Sequence, residues 1–184
     1  PNELTTGECL DLVRQLADLG VLEVTLIGGE AYLRPDLLEI VRAIRARDMH
    51  CTMVTGGRGL DAELARQLAG AGLGSASISI DGAEPTHDRL RGSSGSYRDA
   101  LAAMRALREA GVRLTVNTQI NRLSLRDLPD ILEMLAREGA EAWQIMLTVA
   151  MGRAADEPDV LLQPYDLLEL FPLLDTLAAR CQEL

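Results

Sequence analysis

At 184 residues the chain has the length of a single domain and can bury about 70% of the surface it exposes when unfolded, so residues 1–184 read as one domain with its own core. A formal net charge of −10 leaves no basic face to displace counterions from a phosphate backbone, which argues against nucleic acid as a partner. No apolar run approaches the roughly 20 residues that span a bilayer, and the opening PNELTTGECL has neither a basic region nor an apolar signal core, so the chain reads as cytoplasmic with no membrane partner.

Thr5-Thr6-Gly7-Glu8 has the form of a capping box, opening a helix that runs to about Leu19 and closes at Gly20. Residues 23–27 follow as a strand, and Leu37, Leu38, Ile40, Val41 and Ile44 mark the apolar stripe of a second helix. The alternation then recurs. Strand-like runs at 50–54, 75–80, 113–118 and 142–148 are separated by helical stretches at 61–71, 97–110 and 127–137. Residues 161–184 form a last amphipathic segment with a structural role. Pro172 within it removes a helix hydrogen bond at a cost of about 3 kcal/mol, so a kink or break is expected there. Cys9, Cys51 and Cys181 are odd in number and far apart, which suits neither a disulfide framework nor a thiolate metal site.

Strands separated by helices pair in parallel through right-handed crossovers, giving an α/β fold that is either doubly wound or curled into a barrel. The polarity of the strands favours the barrel. Ala76, Ile78 and Ile80 share one face while Ser77, Ser79 and Asp81 share the other. Leu114, Val116 and Thr118 alternate in the same way with Thr115, Asn117 and Gln119, and Gln144, Met146 and Thr148 with Ile145, Leu147 and Val149. A doubly wound sheet is apolar on both faces, and each polar group buried without a partner costs about 1–3 kcal/mol. Buried water or a one-residue register slip would account for one such strand. A partial barrel whose lumen holds a polar cofactor near the strands' C-terminal ends accounts for all three.

The loops after these strands carry chemistry. In 24–36, VTLIGGEAYLRPD, an apolar run delivers Gly28, Gly29 and Glu30 to one loop. The glycines admit close backbone approach, and the carboxylate accepts hydrogen bonds from an ammonium group. A Gly-Gly pair after a strand also makes an ordinary tight turn, so the neighbouring loops decide between the readings. Thr55-Gly56-Gly57 follows the next strand, and residues 81–92, too long for a minimal connection, follow the third. Residues 117–121 follow the fourth, and Met151-Gly152-Arg153-Ala154 the last. His87 reads as a loop hydrogen-bonder rather than a general base. Of Arg89 and Arg91, Arg91 is the one placed to hold a ligand carboxylate beside Ser79 and Asp81.

Taken in order, GGEAYLRPD, VTGG, SISIDGAEPTHDRLRG, VNTQIN and MGRA resemble the radical S-adenosylmethionine (radical SAM) enzymes, over a span from Thr5 to Arg153. The resemblance implies a partial (β/α)6 barrel of the TIM type that holds a [4Fe-4S] cluster and S-adenosyl-L-methionine. It implies that Gly28, Gly29 and Glu30 meet the methionine amino group, and that Ser79, Asp81 and Gly82 lie beside the methionyl and ribose portions. Asn117 falls among the ribose contacts, and the backbone from Val149 through Met151 to Gly152 beside the adenine. Thr55 and Arg91 complete the expected cofactor contacts. Ala31 stands where the family usually has proline, and Thr55-Gly56-Gly57 where it has Thr-Asn-Gly. The family's Cys-x3-Cys-x2-Cys cluster ligands are absent. The expectation is therefore a piece of a longer enzyme whose first strand and cluster loop lie upstream.

In such an enzyme the cluster donates an electron, the sulfonium bond breaks and a 5′-deoxyadenosyl radical abstracts hydrogen from a substrate, a peptide or a small molecule, in peptide modification or cofactor biosynthesis. The piece alone is expected to be inactive, and a C-terminal extension with auxiliary clusters fits the same group. Two other readings compete. One is a barrel enzyme acting on a small phosphorylated metabolite through N–H groups of the glycine loops, although a chain without lysine has no Schiff-base nucleophile. The other is a non-catalytic pseudo-enzyme or scaffold that binds a partner through an exposed sheet edge, an edge that would also drive self-association.

Overall fold

In the computed structural model, which describes residues 3–151 and 153–181, the chain opens as its capping box requires. The Thr5 hydroxyl accepts the Glu8 N–H at 3.3 Å and the Glu8 carboxylate accepts the Thr5 N–H at 2.7 Å, starting α1 (Thr6–Asp18). Then come β1 (Glu23–Leu26), a 3-10 turn (Ala31–Leu33), α2 (Leu37–Arg45), β2 (His50–Thr55), α3 (Ala62–Ala71) and β3 (Ser75–Ser79). The chain continues through α4 (Glu84–Arg91), α5 (Ser96–Glu109), β4 (Arg113–Ile120), α6 (Leu128–Glu138), β5 (Ala142–Leu147), α7 (Arg153–Asp156) and α8 (Leu167–Cys181).

The five strands form one open parallel sheet in the order β1-β2-β3-β4-β5. Each crossover advances one place in the same direction. A doubly wound sheet must reverse its order at a switch point, and this one has none, so the expected α/β fold of the barrel kind holds in its topology.

By packing, the chain divides into two compact units, Pro1–Ile78 with Asp99–Thr115 and Ser79–Arg98 with Val116–Leu184. In the first, α2 packs on α1, α3 and β2. Its stripe is buried at Leu37, Ile40, Val41 and Ile44, while Leu38 is half-buried at the margin. Cys51, Met53, Ala76 and Ile78, the dry faces of β2 and β3, are buried in the same unit. Each fully buried Ile or Leu contributes about 1.5–3 kcal/mol relative to exposure. In the second unit α6 packs against α8, and Leu128, Ile131, Leu135, Leu170 and Leu177 are buried along with Val116 and Ile120 of β4. The alternation expected for β3 and β4 is present: Ser75, Ser77, Ser79, Thr115 and Asn117 are only half-buried and Gln119 is exposed. Among the described residues no helix is long and apolar enough to cross a membrane.

Three expectations need correction. Residues 81–92 are not a loop: most of them form α4, which starts with Pro85 in its first turn and ends at Gly92 in the left-handed conformation (φ 64°). The stretch 117–121 is not a loop either, because β4 runs to Ile120. Pro172 does not break α8. The carbonyl it leaves without a helix partner belongs to Leu168, a residue 80% exposed, where water can take up the lost bond.

Candidate functional site

In the first unit, β1 ends in Gly28-Gly29-Glu30 and β2 ends in Thr55-Gly56-Gly57. The two loops are tied by Glu30, whose carboxylate accepts the Thr55 hydroxyl through one oxygen and the Gly56 N–H at 3.1 Å through the other. A Cβ on Gly56 would stand 3.0 Å from Glu30 Oε1, so glycine is what permits this approach. The Thr55 hydroxyl, 2% exposed as a residue, also accepts the Gly57 N–H at 2.8 Å. Tyr32 donates its O–H to the Arg58 carbonyl at 2.8 Å, and burial, helped by the nearby Glu30 charge, pushes its phenol up to about 12. A carboxylate has about four lone-pair positions, and two here are spent on holding it still. Gly28 and Gly29 are exposed, with nothing within 4 Å of where a side chain would begin, so their backbone is open to a ligand. A fixed anion beside open backbone is suited to an ammonium group.

The second unit holds the other expected residues. Asp81, 7% exposed, accepts the Gln119 N–H at 2.9 Å through Oδ1 and meets Arg91 Nη2 at 2.7 Å through Oδ2. Arg91, expected to hold a ligand carboxylate, thus stands against a carboxylate of its own chain, and its buried Nε has no hydrogen-bond partner. The Asp81 N–H donates to His87 Nδ1 at 3.1 Å, which makes His87 a hydrogen-bonding part of this turn. Asp127 accepts the Ala83 N–H at 2.9 Å, and a Cβ on Gly82 would lie 3.0 Å from its Oδ2 and 2.7 Å from Thr86. Asn117 accepts the Ile80 N–H through its carbonyl at 2.9 Å, and its half-buried side chain shares a strand face with Gln119.

A cavity of about 270 Å³ opens here, lined among others by Asp81, Arg89, Gln119, Asn121, Thr148 and Met151. The buried Thr148 hydroxyl has no hydrogen-bond partner, and an unsatisfied group of this kind is a place for a ligand's polar atom. The structure therefore brings Asp81 and Met151 to one cavity, while Ser79, Arg91, Asn117 and Val149 are not among its lining residues. Val149 and Met151 are 61% and 75% exposed, linked by a 2.8 Å bond from the Met151 N–H to the Val149 carbonyl. Gly152 lies outside the described residues.

Sequence reasoning put Asn121 in a segment with chemical potential and Thr148 on a polar strand face without naming either as a contact, and it missed Asp127. Asn121 is 2% exposed and folds the turn after β4 by accepting the Leu123 and Ser124 N–H groups at 2.9 and 3.3 Å. An Asn followed by Ser three positions on is a local turn signal that could have revealed it. The Asp127 bond spans 44 positions and leaves no local signal.

Among the described residues no three His, Cys, Asp or Glu side chains stand close enough to hold a metal ion. Cys9 is half-buried, Cys51 buried and Cys181 exposed, each a free thiol. These residues do not fit an iron–sulfur cluster, which needs several thiolates together.

Comparison with known proteins adds a family, two relatives and one likeness of fold. The profile of the Radical SAM superfamily matches residues 1–135. An AdoMet-dependent heme synthase from Nitratidesulfovibrio vulgaris is 32% identical over 160 residues, 86% of this chain and 44% of that protein. A PqqA peptide cyclase from Granulibacter bethesdensis is 32% identical over 169 residues, 91% of this chain and 45% of that protein. Among solved structures, SuiB of Streptococcus suis bound to S-adenosylmethionine matches 100% of this chain and 42% of its own with a TM-score of 0.81, a likeness of fold at 16% identity. The chain spans less than half the length of these relatives.

Proposed function

This chain belongs to the radical SAM superfamily, and from that premise we propose that it is the S-adenosylmethionine-binding core of an enzyme that modifies a peptide or builds a cofactor. The observation that carries the reading is the Glu30 carboxylate, locked by Thr55 and Gly56 beside two glycines with open backbone. An ammonium group there would gain charge-assisted hydrogen bonds from an anion already in place, with little ordering left to do. Within the second unit, the unsatisfied Thr148 hydroxyl offers a polar partner to a ribose, the half-buried Ser79 and Asn117 lie outside its cavity, and the exposed residues Val149 and Met151 offer a surface to a purine. Asp81, held by the Gln119 N–H and Arg91, gives that seat a fixed acceptor.

S-adenosylmethionine bound there would supply radical chemistry for hydrogen abstraction from the substrate, its electron coming from a cluster held by the longer parent protein. The residues described here orient the cofactor. They do not supply the thiolates of a [4Fe-4S] cluster. Those ligands are assigned to a longer parent protein, and the 184-residue chain alone is inactive in this reading. The relatives named as a heme synthase and a peptide cyclase, and the SuiB structure with precursor peptide SuiA, support a peptide or a cofactor precursor as the parent's substrate.

Titration calorimetry on the 184-residue chain tests the binding half of this reading: S-adenosylmethionine should bind, and Glu30→Gln should weaken it about tenfold, or 1.4 kcal/mol. The catalytic half is tested on the parent protein, reconstituted anaerobically, which should release 5′-deoxyadenosine on reduction. A parent that carries no Cys-x3-Cys-x2-Cys loop, or stays inert after reconstitution, would sink it.

A further inference from the structure

His87 is only 1% exposed, yet the seat just described makes no direct use of it. Its surroundings explain why it is buried. Asp81 lies just beyond β3, where the strand ladder is running out: the Ile80 N–H still reaches the Asn117 carbonyl at 2.9 Å, but the next turn needs other partners. The Asp81 N–H goes to His87 Nδ1 at 3.1 Å, while the Asp81 carboxylate accepts the Gln119 N–H at 2.9 Å. Two side chains thus finish the ladder where main chain no longer can. To accept at Nδ1 the imidazole must be neutral, with its proton on Nε2.

We infer that His87, in this tautomer, is the positioning residue of the cofactor seat: it fixes the Asp81 turn, and with it the Asp81–Arg91 pair, from a place in α4 where it touches no ligand. The identity of the ligand rests on the proposed function, whereas the hold of His87 on Asp81 does not. Protonation would set an N–H against an N–H and release the turn. Asp81 and Asp88 favour the imidazolium, Arg91 opposes it, and the Tyr97 ring lies edge-on at 5.8 Å without charge. Burial, reinforced by Arg91, prevails and holds the pKa below the ordinary histidine value. The turn is therefore intact at neutral pH and loosens as the pH falls through that lowered value.

The test uses the 184-residue chain labelled with 15N. Ring spectra at about pH 7.5 should show His87 as the Nε2–H tautomer with the Asp81 amide protected from exchange, and both should change together on acidification through the lowered histidine pKa. His87→Asn supplies a non-titrating acceptor, so its Asp81 amide should stay protected and become insensitive to pH over that range. In His87→Phe the protection should fall about tenfold at every pH, equivalent to one pKa unit of coupling. With S-adenosylmethionine as the probe, His87→Phe should bind about tenfold more weakly than wild type near pH 7.5, and His87→Asn should rescue binding and flatten its acid limb. An Nδ1–H tautomer, or an Asp81 amide unchanged in His87→Phe, overturns the inference. Should His87→Phe not fold, the wild-type tautomer and the flat profile of His87→Asn decide. A chain that binds no S-adenosylmethionine while its Asp81 amide behaves as described refutes the cofactor reading and leaves the positioning role standing.

Discussion

Thr55 is a small residue with three duties. Its hydroxyl donates to Glu30, accepts from the Gly57 N–H and lies 3.4 Å from the Tyr32 oxygen, all at a residue 2% exposed. Thr55→Val keeps the shape and strands those partners, so unfolding in urea should show a loss of about 1–3 kcal/mol, with Thr55→Ser restoring most of it. Tyr32 offers a second check. Its phenol is raised to about 12 by burial, so absorbance titration should show one of the three tyrosines ionising near that pH, and Tyr32→Phe should remove that step. Because the folded pKa is raised, the associated stability is intact below the ordinary tyrosine value and is lost as pH climbs towards 12. Gly28, Gly29 and Glu30 stood out from residue type as a candidate ligand loop, with the neighbouring loops needed to favour that over an ordinary tight turn. That Glu30 would be clamped by Thr55 did not stand out, because the partner lies 25 positions away.

Helix α4 shows how local signals compete within an element. Polar composition and length suggest a loop at 81–92, yet Pro85 in the first turn and Gly92 at the end are the ordinary punctuation of a short helix. What fixes it is tertiary. Asp88 on α4 accepts the Gly95 and Tyr97 N–H groups at 2.6 and 2.9 Å and the Ser96 hydroxyl at 3.0 Å, joining α4 to the start of α5. Those backbone N–H groups hold the Asp88 carboxyl below the usual aspartate range. A depressed carboxyl pKa gives stability that is present above the unfolded value and disappears as pH falls through the folded one. Denaturation followed from neutral pH into that acid range should therefore show a loss that Asp88→Asn blunts. Asp127→Ala, which strands the Ala83 N–H, should cost about 1–3 kcal/mol and loosen the turn beside Asp81.

Across the whole chain, the free thiols report on how the core is built. Burial lifts the Cys51 thiol to about 11, so a disulfide reagent should titrate Cys181 rapidly and Cys9 more slowly, and reach Cys51 only on unfolding. Rapid reaction of all three in the native protein would contradict the buried β2 face. The parallel pairing of the strands was readable in advance, because alternating strand and helix periods leave right-handed parallel crossovers as the main solution, and the half-wet faces marked by Ser77, Ser79 and Asn117 favoured the barrel over a doubly wound sheet. Hydrophobic period, caps and strand polarity are properties of neighbouring residues, and they carried the class of fold and, α4 and α7 apart, the succession of strands and helices. The commitment of Arg91 to Asp81, the hold of His87 on the Asp81 N–H and the reach of Asp127 to Ala83 join residues 10, 6 and 44 positions apart. Such pairings form only when helices bring distant side chains within about 3 Å of a polar partner, a distance that residue order does not encode.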